Sequence, residues 1–144
     1  MKRYLTEAGS VWVRTCFSTP RLHSVVIAEI ALVEVISALS RRHRDQSISE
    51  EEYFRYESVF LRDVAEYDII PLNRSIATAA MRYCHRFALK ACDAVQLATA
   101  LAVQTRMRSD GLPLLTFVSS DQELLDAAAT PEFDLHPINP DSIR

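Results

Sequence analysis

Short apolar segments alternate with longer helix-forming segments along the chain, and this alternation restricts the possible folds more than any other feature. Strands are predicted over residues 25–27 (VVI), 67–72 (YDIIPL) and 114–118 (LLTFV). The last of these is an unbroken apolar run, which predicts a strand buried on both faces. Strands of this type separated by helices predict a parallel sheet with helices on both faces, an α/β/α sandwich.

Helix-forming segments occupy most of the remaining chain. A helical turn is predicted over residues 2–8, and Ser10 is expected to begin a second helix that ends near residue 17. At a later helix start, Ser49 and Glu52 have the spacing of a capping box. The longer helices are predicted over residues 29–44, 49–66, 74–86, 91–106 and 120–129.

Length and composition exclude several classes of protein. A chain of 144 residues fits one domain and leaves no room for a second of ordinary size. Its two glycines exclude the glycine-rich phosphate loops, because each such loop needs several glycines close together. The net charge of −3 does not indicate a strongly basic nucleic-acid binder, although a local basic patch stays open. Three cysteines without a C-x-x-C pair, and no secretory signal, predict a cytoplasmic protein.

Asp121 is an acidic residue directly beyond a predicted strand. It follows the LLTFV segment through Ser119 and Ser120. We therefore expect it at the carboxyl edge of the sheet, where the ligand sites of open parallel sheets lie. The alternative is that Ser120 and Glu123 form a capping box and that Asp121 only favours the helix dipole.

Asp93 and Glu34 lie in two segments that are otherwise apolar. Asp93 is near the start of the helix in LKACDAVQLATALA, where a buried carboxylate is costly unless it is paired or binds a cation. Its alternative role is to favour the helix dipole. Glu34 in IALVEVISAL has the small neighbours Ala31, Ser37 and Ala38, which leave room for a ligand. Its alternative role is that of a glutamate extending from the helix to solvent.

These three carboxylates would repel one another if they met at one strand end without a cation. A cluster of Glu34, Asp93 and Asp121 offers hard oxygen ligands, which suit Mg²⁺ or Mn²⁺ rather than zinc. A metal held by carboxylates activates water and stabilises the charge that develops in phosphodiester cleavage. The pattern therefore indicates metal-dependent hydrolysis of phosphate esters.

The segments around these acids resemble the motifs of PIN-domain proteins. IALVEVISALSRR resembles the second acidic motif of that family, and LKACDAVQLATAL is similar to the third, L-(R/K)-x-x-D-A-h-x-L-A-x-A. FVSSDQELLDAA resembles the fourth motif, (T/S)-x-D-x-x-L, and KRYLTEAGSVWV resembles the segment that follows the first. The resemblance covers about residues 2–139 and is strongest to the VapC-type toxins of bacterial and archaeal toxin–antitoxin pairs.

What this resemblance implies is an endoribonuclease with a compact α/β/α fold. It implies that Glu34, Asp93 and Asp121 are ligands of Mg²⁺ or Mn²⁺ and that Ser119, the hydroxyl residue of the fourth motif, supports the site. The partners it implies are an RNA substrate, a small antitoxin and a second copy in a homodimer. Two alternatives stay open: a non-catalytic module that dimerises or binds an antitoxin, and a metal-free scaffold whose acids cap helices.

The chain departs from the family pattern at its start. Family members open with a strand ending in D-x-S-A-L just before the stretch that matches Lys2, but here Met1 stands where that segment should have ended. The first strand, central in the family's sheet, and its Asp are therefore expected to be missing from this chain. An empty central position would leave main-chain groups unpaired, so we expect residues 133–136 or a partner's strand to fill it.

Overall fold

The structure is a computed structural model that describes residues 2–18 and 24–143. Its contacts divide the chain into two compact units, Met1–Ile70 and Pro71–Arg144. Met1, on which the expectation of a missing strand depends, lies outside the described residues. No helix within the described ranges has both the length and the apolar character that crossing a membrane requires.

The first unit combines helices with one pair of strands. The strands pair in parallel, with Ile27 opposite Ile69. Its described elements are α1 (Ser10–Ser18), β1 (Val26–Ala28), α2 (Ile30–Arg44), α3 (Glu50–Val64) and β2 (Asp68–Ile70). Because α2 contacts both α3 and β1, the two long helices form a hairpin that is attached to the strand pair.

The start of α3 is fixed by the capping box that the sequence predicts. Ser49 Oγ accepts a hydrogen bond from the Glu52 N–H at 3.2 Å, and Glu52 Oε2 accepts one from the Ser49 N–H at 2.9 Å. These two bonds satisfy main-chain donors that have no partner inside the helix. Glu52 Oε2 accepts hydrogen bonds from the Ser49 N–H and from Ser49 Oγ, and because these two bonds stabilise the ionised carboxylate, they lower the pKa of Glu52. The capping-box prediction is confirmed here.

The second unit contains the remaining helices and a second pair of strands. Its described elements are α4 (Arg74–Phe87), α5 (Ala91–Ser109), β3 (Thr116–Val118), α6 (Gln122–Ala128) and β4 (His136–Ile138). The strands are parallel, with Phe117 opposite Pro137. Helix α5 packs against α4 and α6, and α6 also contacts β4. Helices with short parallel strands confirm the predicted α/β fold class.

Small side chains and leucines form the core of the second unit. Ala94 and Leu97 of α5 and Leu124 of α6 are almost fully buried. Two polar residues of α5, Thr99 and Gln104, are buried with them. Gln104 Oε1 accepts a hydrogen bond from the Leu115 N–H at 2.6 Å. This bond gives the main-chain N–H of Leu115 an acceptor where the chain enters β3. A buried main-chain donor without an acceptor is costly.

The turn predicted over residues 2–8 is not helical. Residues in this segment form turns and bends. The reason is the buried Ser10 side chain, whose Oγ accepts a hydrogen bond from the Glu7 N–H and donates one to the Leu5 carbonyl, both at 2.8 Å. These bonds fold the segment back onto the start of α1, and a helical path would break them.

The prediction that residues 114–118 form a strand buried on both faces is wrong. Leu114 is 51% exposed and Val118 is 45% exposed. Burial alternates along β3, with Phe117 inside. Within the described part of the chain, β3 has β4 as its one strand neighbour. The tail thus supplies an edge strand to β3 through residues 136–138.

Candidate metal centre

Ser119 and Asp121 form the turn between β3 and α6. The Ser119 N–H donates to the Ile138 carbonyl at 3.1 Å and so extends the pairing of β3 with β4. Ser119 Oγ accepts a hydrogen bond from the Asp121 N–H at 3.1 Å. Asp121 Oδ1 in turn accepts one from the Leu124 N–H at 3.0 Å. The Asp121 carboxylate is therefore fixed just beyond the carboxyl end of a parallel strand.

Asp121, not Ser120, is the capping residue of α6. Its side chain reaches the Leu124 N–H, so the predicted capping box of Ser120 and Glu123 is wrong. Capping uses Oδ1, and an ionised carboxylate carries further lone pairs on its second oxygen. The capping role and a role as metal ligand are therefore compatible in one side chain.

Substitutions of Asp121 test its role as the cap of α6. We expect the free energy of unfolding of Asp121→Asn to lie within about 0.5 kcal/mol of the wild-type value, because Asn is as good a helix cap as Asp. We expect Asp121→Ala to cost about 1 kcal/mol, because the Leu124 N–H loses its acceptor. Urea unfolding followed by circular dichroism measures both values. Equal stability of all three proteins would show that the cap contributes nothing in solution.

Asp93 lies in the first turn of α5 and is partly buried. The following residue, Ala94, and Leu97 one turn later are both fully buried. A carboxylate at this position is favoured by the helix dipole, and partial burial strengthens the attraction between a carboxylate and a nearby cation relative to that in water. Helix α5 packs against α6, the helix that Asp121 caps, so both acids begin helices that contact each other.

Glu34 lies in the second turn of α2 and is partly exposed. It belongs to the first unit, whereas Asp93, Ser119 and Asp121 belong to the second. Over residues 2–18 and 24–143, no three His, Cys, Asp or Glu side chains form a ready-made group that could hold a metal ion.

The donor chemistry of the predicted ligands nevertheless suits a hard divalent cation. Carboxylates are the ligands that Mg²⁺ and Mn²⁺ prefer. Mg²⁺ keeps several waters and binds one or two protein carboxylates together with substrate phosphates. Such an ion therefore does not require a ready-made group of three carboxylates, and carboxylate oxygens such as those of Asp93 and Asp121 are the type of donor that it takes.

Comparison with known families decides the class of the protein. The model of the PIN domain family matches residues 10–129, which is most of the chain. The chain belongs to the PIN-domain family. The matched range of this PIN domain contains Glu34, Asp93, Ser119 and Asp121. No match was found among curated proteins or among solved structures.

Membership of this family gives the acids a chemical context. PIN domains are in general nucleases and generally use divalent metal ions, typically Mg²⁺. The enzyme class indicated by the carboxylates is thus supported at the level of the family. The same holds for a divalent cation as cofactor.

The sequence did not predict a group of arginines that lie over aromatic rings in the first unit of this PIN domain. Arg3 Nη2 donates to Asp63 Oδ1 at 2.8 Å, and its guanidinium lies 4.3 Å from the centre of the Phe17 ring. Arg55 lies 5.0 Å from the centre of the Tyr56 ring. The adjacency of Arg55 and Tyr56 is visible in the sequence, but the contact of Arg3 with Asp63 joins positions 60 residues apart.

Two tyrosines beside these arginines predict a loss of stability at alkaline pH. Burial raises the pKa of Tyr4, and burial also raises the pKa of Tyr67. Both groups titrate near pH 10 in the unfolded chain, so the folded state holds protons that the unfolded state releases. Stability from this source is complete below about pH 10 and declines as the pH rises further.

We therefore expect the urea midpoint of the first unit to fall above about pH 10. Trp12, the one tryptophan of the chain, lies in α1 and reports this transition by fluorescence. Tyr4→Phe should reduce the alkaline decline, whereas Tyr83→Phe, in the second unit, should leave it unchanged. A midpoint that stays constant from pH 8 to pH 11 would contradict the assignment.

Proposed function

We propose that the protein is a metal-dependent endoribonuclease of the VapC-toxin type. The observation that carries this proposal is the PIN-family match over residues 10–129, within which all three motif acids lie. The choice of RNA as substrate follows from the resemblance of the motifs to VapC-type toxins.

In this proposal Glu34, Asp93 and Asp121 hold Mg²⁺ or Mn²⁺. The bound cation activates water and offsets the negative charge that develops on the phosphodiester. Asp121 is preset for this role by the hydrogen bond from the Leu124 N–H. Ser119 is a positioning residue, since its hydroxyl accepts the Asp121 N–H and fixes the turn that carries the acid.

The proposal also includes partners and a compartment. We propose an RNA substrate, a cognate antitoxin and a homodimer, because VapC-type proteins have these partners. We propose a cytoplasmic location, which is supported by the odd number of cysteines and by the lack of a C-x-x-C pair in the sequence.

A cleavage assay on the full chain tests the nuclease. A 5′-labelled single-stranded RNA is incubated with the protein in Mg²⁺, in Mn²⁺ and in EDTA. We expect internal cleavage in either cation and intact RNA in EDTA. Equal cleavage in EDTA would contradict metal dependence. An RNA that stays intact in both cations would support the alternative of a non-catalytic, antitoxin-binding module.

A further inference from the structure

The first unit carries an arginine–aromatic groove with a volume of about 350 Å³. Its walls come from the N-terminal turn, from α1 and from α3. All charged residues that line it are arginines. Six of its lining residues are Arg3, Tyr4, Arg14, Phe17, Arg55 and Tyr56.

Two arginines of the groove lie over its aromatic rings. The Arg3 guanidinium lies over Phe17 at 4.3 Å and is held there by Asp63, with Nε 2.5 Å from Oδ2 and Nη2 2.8 Å from Oδ1. Arg55 lies over Tyr56 at 5.0 Å. Planar guanidinium and aromatic surfaces are the platforms on which unstacked nucleobases stack.

The groove also keeps positive charge for an anion. Arg14 donates to two neutral oxygens, the Arg3 carbonyl at 3.1 Å and Thr6 Oγ1 at 3.5 Å. The Arg55 side chain is 62% exposed, and its contact with Glu52 is long, at 4.0 Å. Two arginine forks that remain accessible suit the oxygens of phosphate groups. This local charge contrasts with the net charge of −3 of the whole chain.

We propose that this groove binds a single-stranded segment of RNA, with bases stacked on the arginine–aromatic layers and phosphates on Arg14 and Arg55. The proposal rests on the proposed function, because it names a contact surface for the RNA substrate. A single strand is required because the bases of a duplex stack on one another and do not offer their faces to side chains. An acidic peptide would satisfy the arginines but would leave the stacking surfaces unused.

Fluorescence anisotropy with a labelled oligouridylate in EDTA tests the charge contribution. Without a divalent cation the RNA stays intact, so a failure of the nuclease proposal and a failure of the groove are distinguishable. The Arg14→Gln/Arg55→Gln variant should bind more weakly and should lower the slope of log affinity against log salt by about 1.4. The matched control, Arg82→Gln/Arg106→Gln, removes the same charge from exposed positions in the second unit and should keep the wild-type slope.

Substitutions of Tyr56 test the stacking contribution. Tyr56→Ala should weaken binding about 5- to 140-fold, the loss expected for one stacked base. Tyr56→Phe keeps the ring and should bind like the wild type. The proposal is overturned if Arg14→Gln/Arg55→Gln and its control Arg82→Gln/Arg106→Gln bind the RNA with equal affinity. A Tyr56→Ala variant with wild-type affinity for the RNA would also overturn it. If polyglutamate displaces the RNA as efficiently as unlabelled RNA does, the groove binds an acidic peptide instead.

Discussion

Asp93→Asn is expected to slow RNA cleavage by about 10²- to 10⁴-fold in Mg²⁺ or Mn²⁺. The substitution keeps the shape of the side chain and one carbonyl oxygen, but it removes the negative charge that holds the cation in the proposed site. Asp93 is partly buried in the first turn of α5, where water screens its charge less than at the surface. Single-turnover cleavage of a labelled single-stranded RNA measures the effect.

Asp110→Asn is the matched control for this prediction. Asp110 is the exposed residue that ends the same helix, where its carboxylate lies 3.9 Å from Arg106. The same chemical change at this end should leave cleavage at the wild-type rate. A thermal unfolding midpoint for Asp93→Asn near that of the wild type excludes a folding defect. Full cleavage by Asp93→Asn would remove Asp93 from the metal site and would point to a contaminating nuclease.

Elements with strong local signals are predictable from the sequence. Helix α3 begins at the capping box of Ser49 and Glu52, and the bounds of α2, α4 and α5 differ from prediction by no more than a few residues. In these segments the cap, the apolar periodicity and the terminal charges all favour the same structure. Local physics is then sufficient, because tertiary contacts do not oppose it.

Burial and competition between caps are less predictable. The exposure of Leu114 and Val118 depends on which elements cover β3, and that is a tertiary property. Ser120 and Asp121 are both good capping residues. The choice between them depends on which side chain reaches the Leu124 N–H once the turn is closed by Ser119.

The motifs name the acids of the candidate site, but they do not supply its geometry. The sequence predicts Asp93 from its place in an otherwise apolar segment and Asp121 from its place just beyond a strand. The structure places both at the starts of two helices that pack together. The arginine–aromatic groove has no such motif. Its assembly depends on the long-range contact of Arg3 with Asp63, which no local pattern in the sequence signals.

Leu97→Ala is expected to destabilise the second unit by about 2–5 kcal/mol. Leu97 is fully buried in α5, and its buried neighbours Ala94, Ala98 and Ala100 are too short to fill the space it would leave. The cost therefore includes both the lost transfer of the side chain from water and the cavity that remains. Urea unfolding followed by circular dichroism measures the loss.

Leu112→Ala is the control, because Leu112 follows α5 and is 54% exposed. It should change stability by no more than about 0.5 kcal/mol, and Leu97→Met, which conserves volume, should cost less than about 1.5 kcal/mol. A loss of stability below about 1.5 kcal/mol for Leu97→Ala would mean that α4 and α6 move into the cavity and fill it. Leu97 lies one helical turn after Asp93. If the helix also positions this acid, the cleavage rate of Leu97→Ala should fall by more than the loss of folded protein explains. A fall that matches the unfolded fraction would assign Leu97 to stability alone.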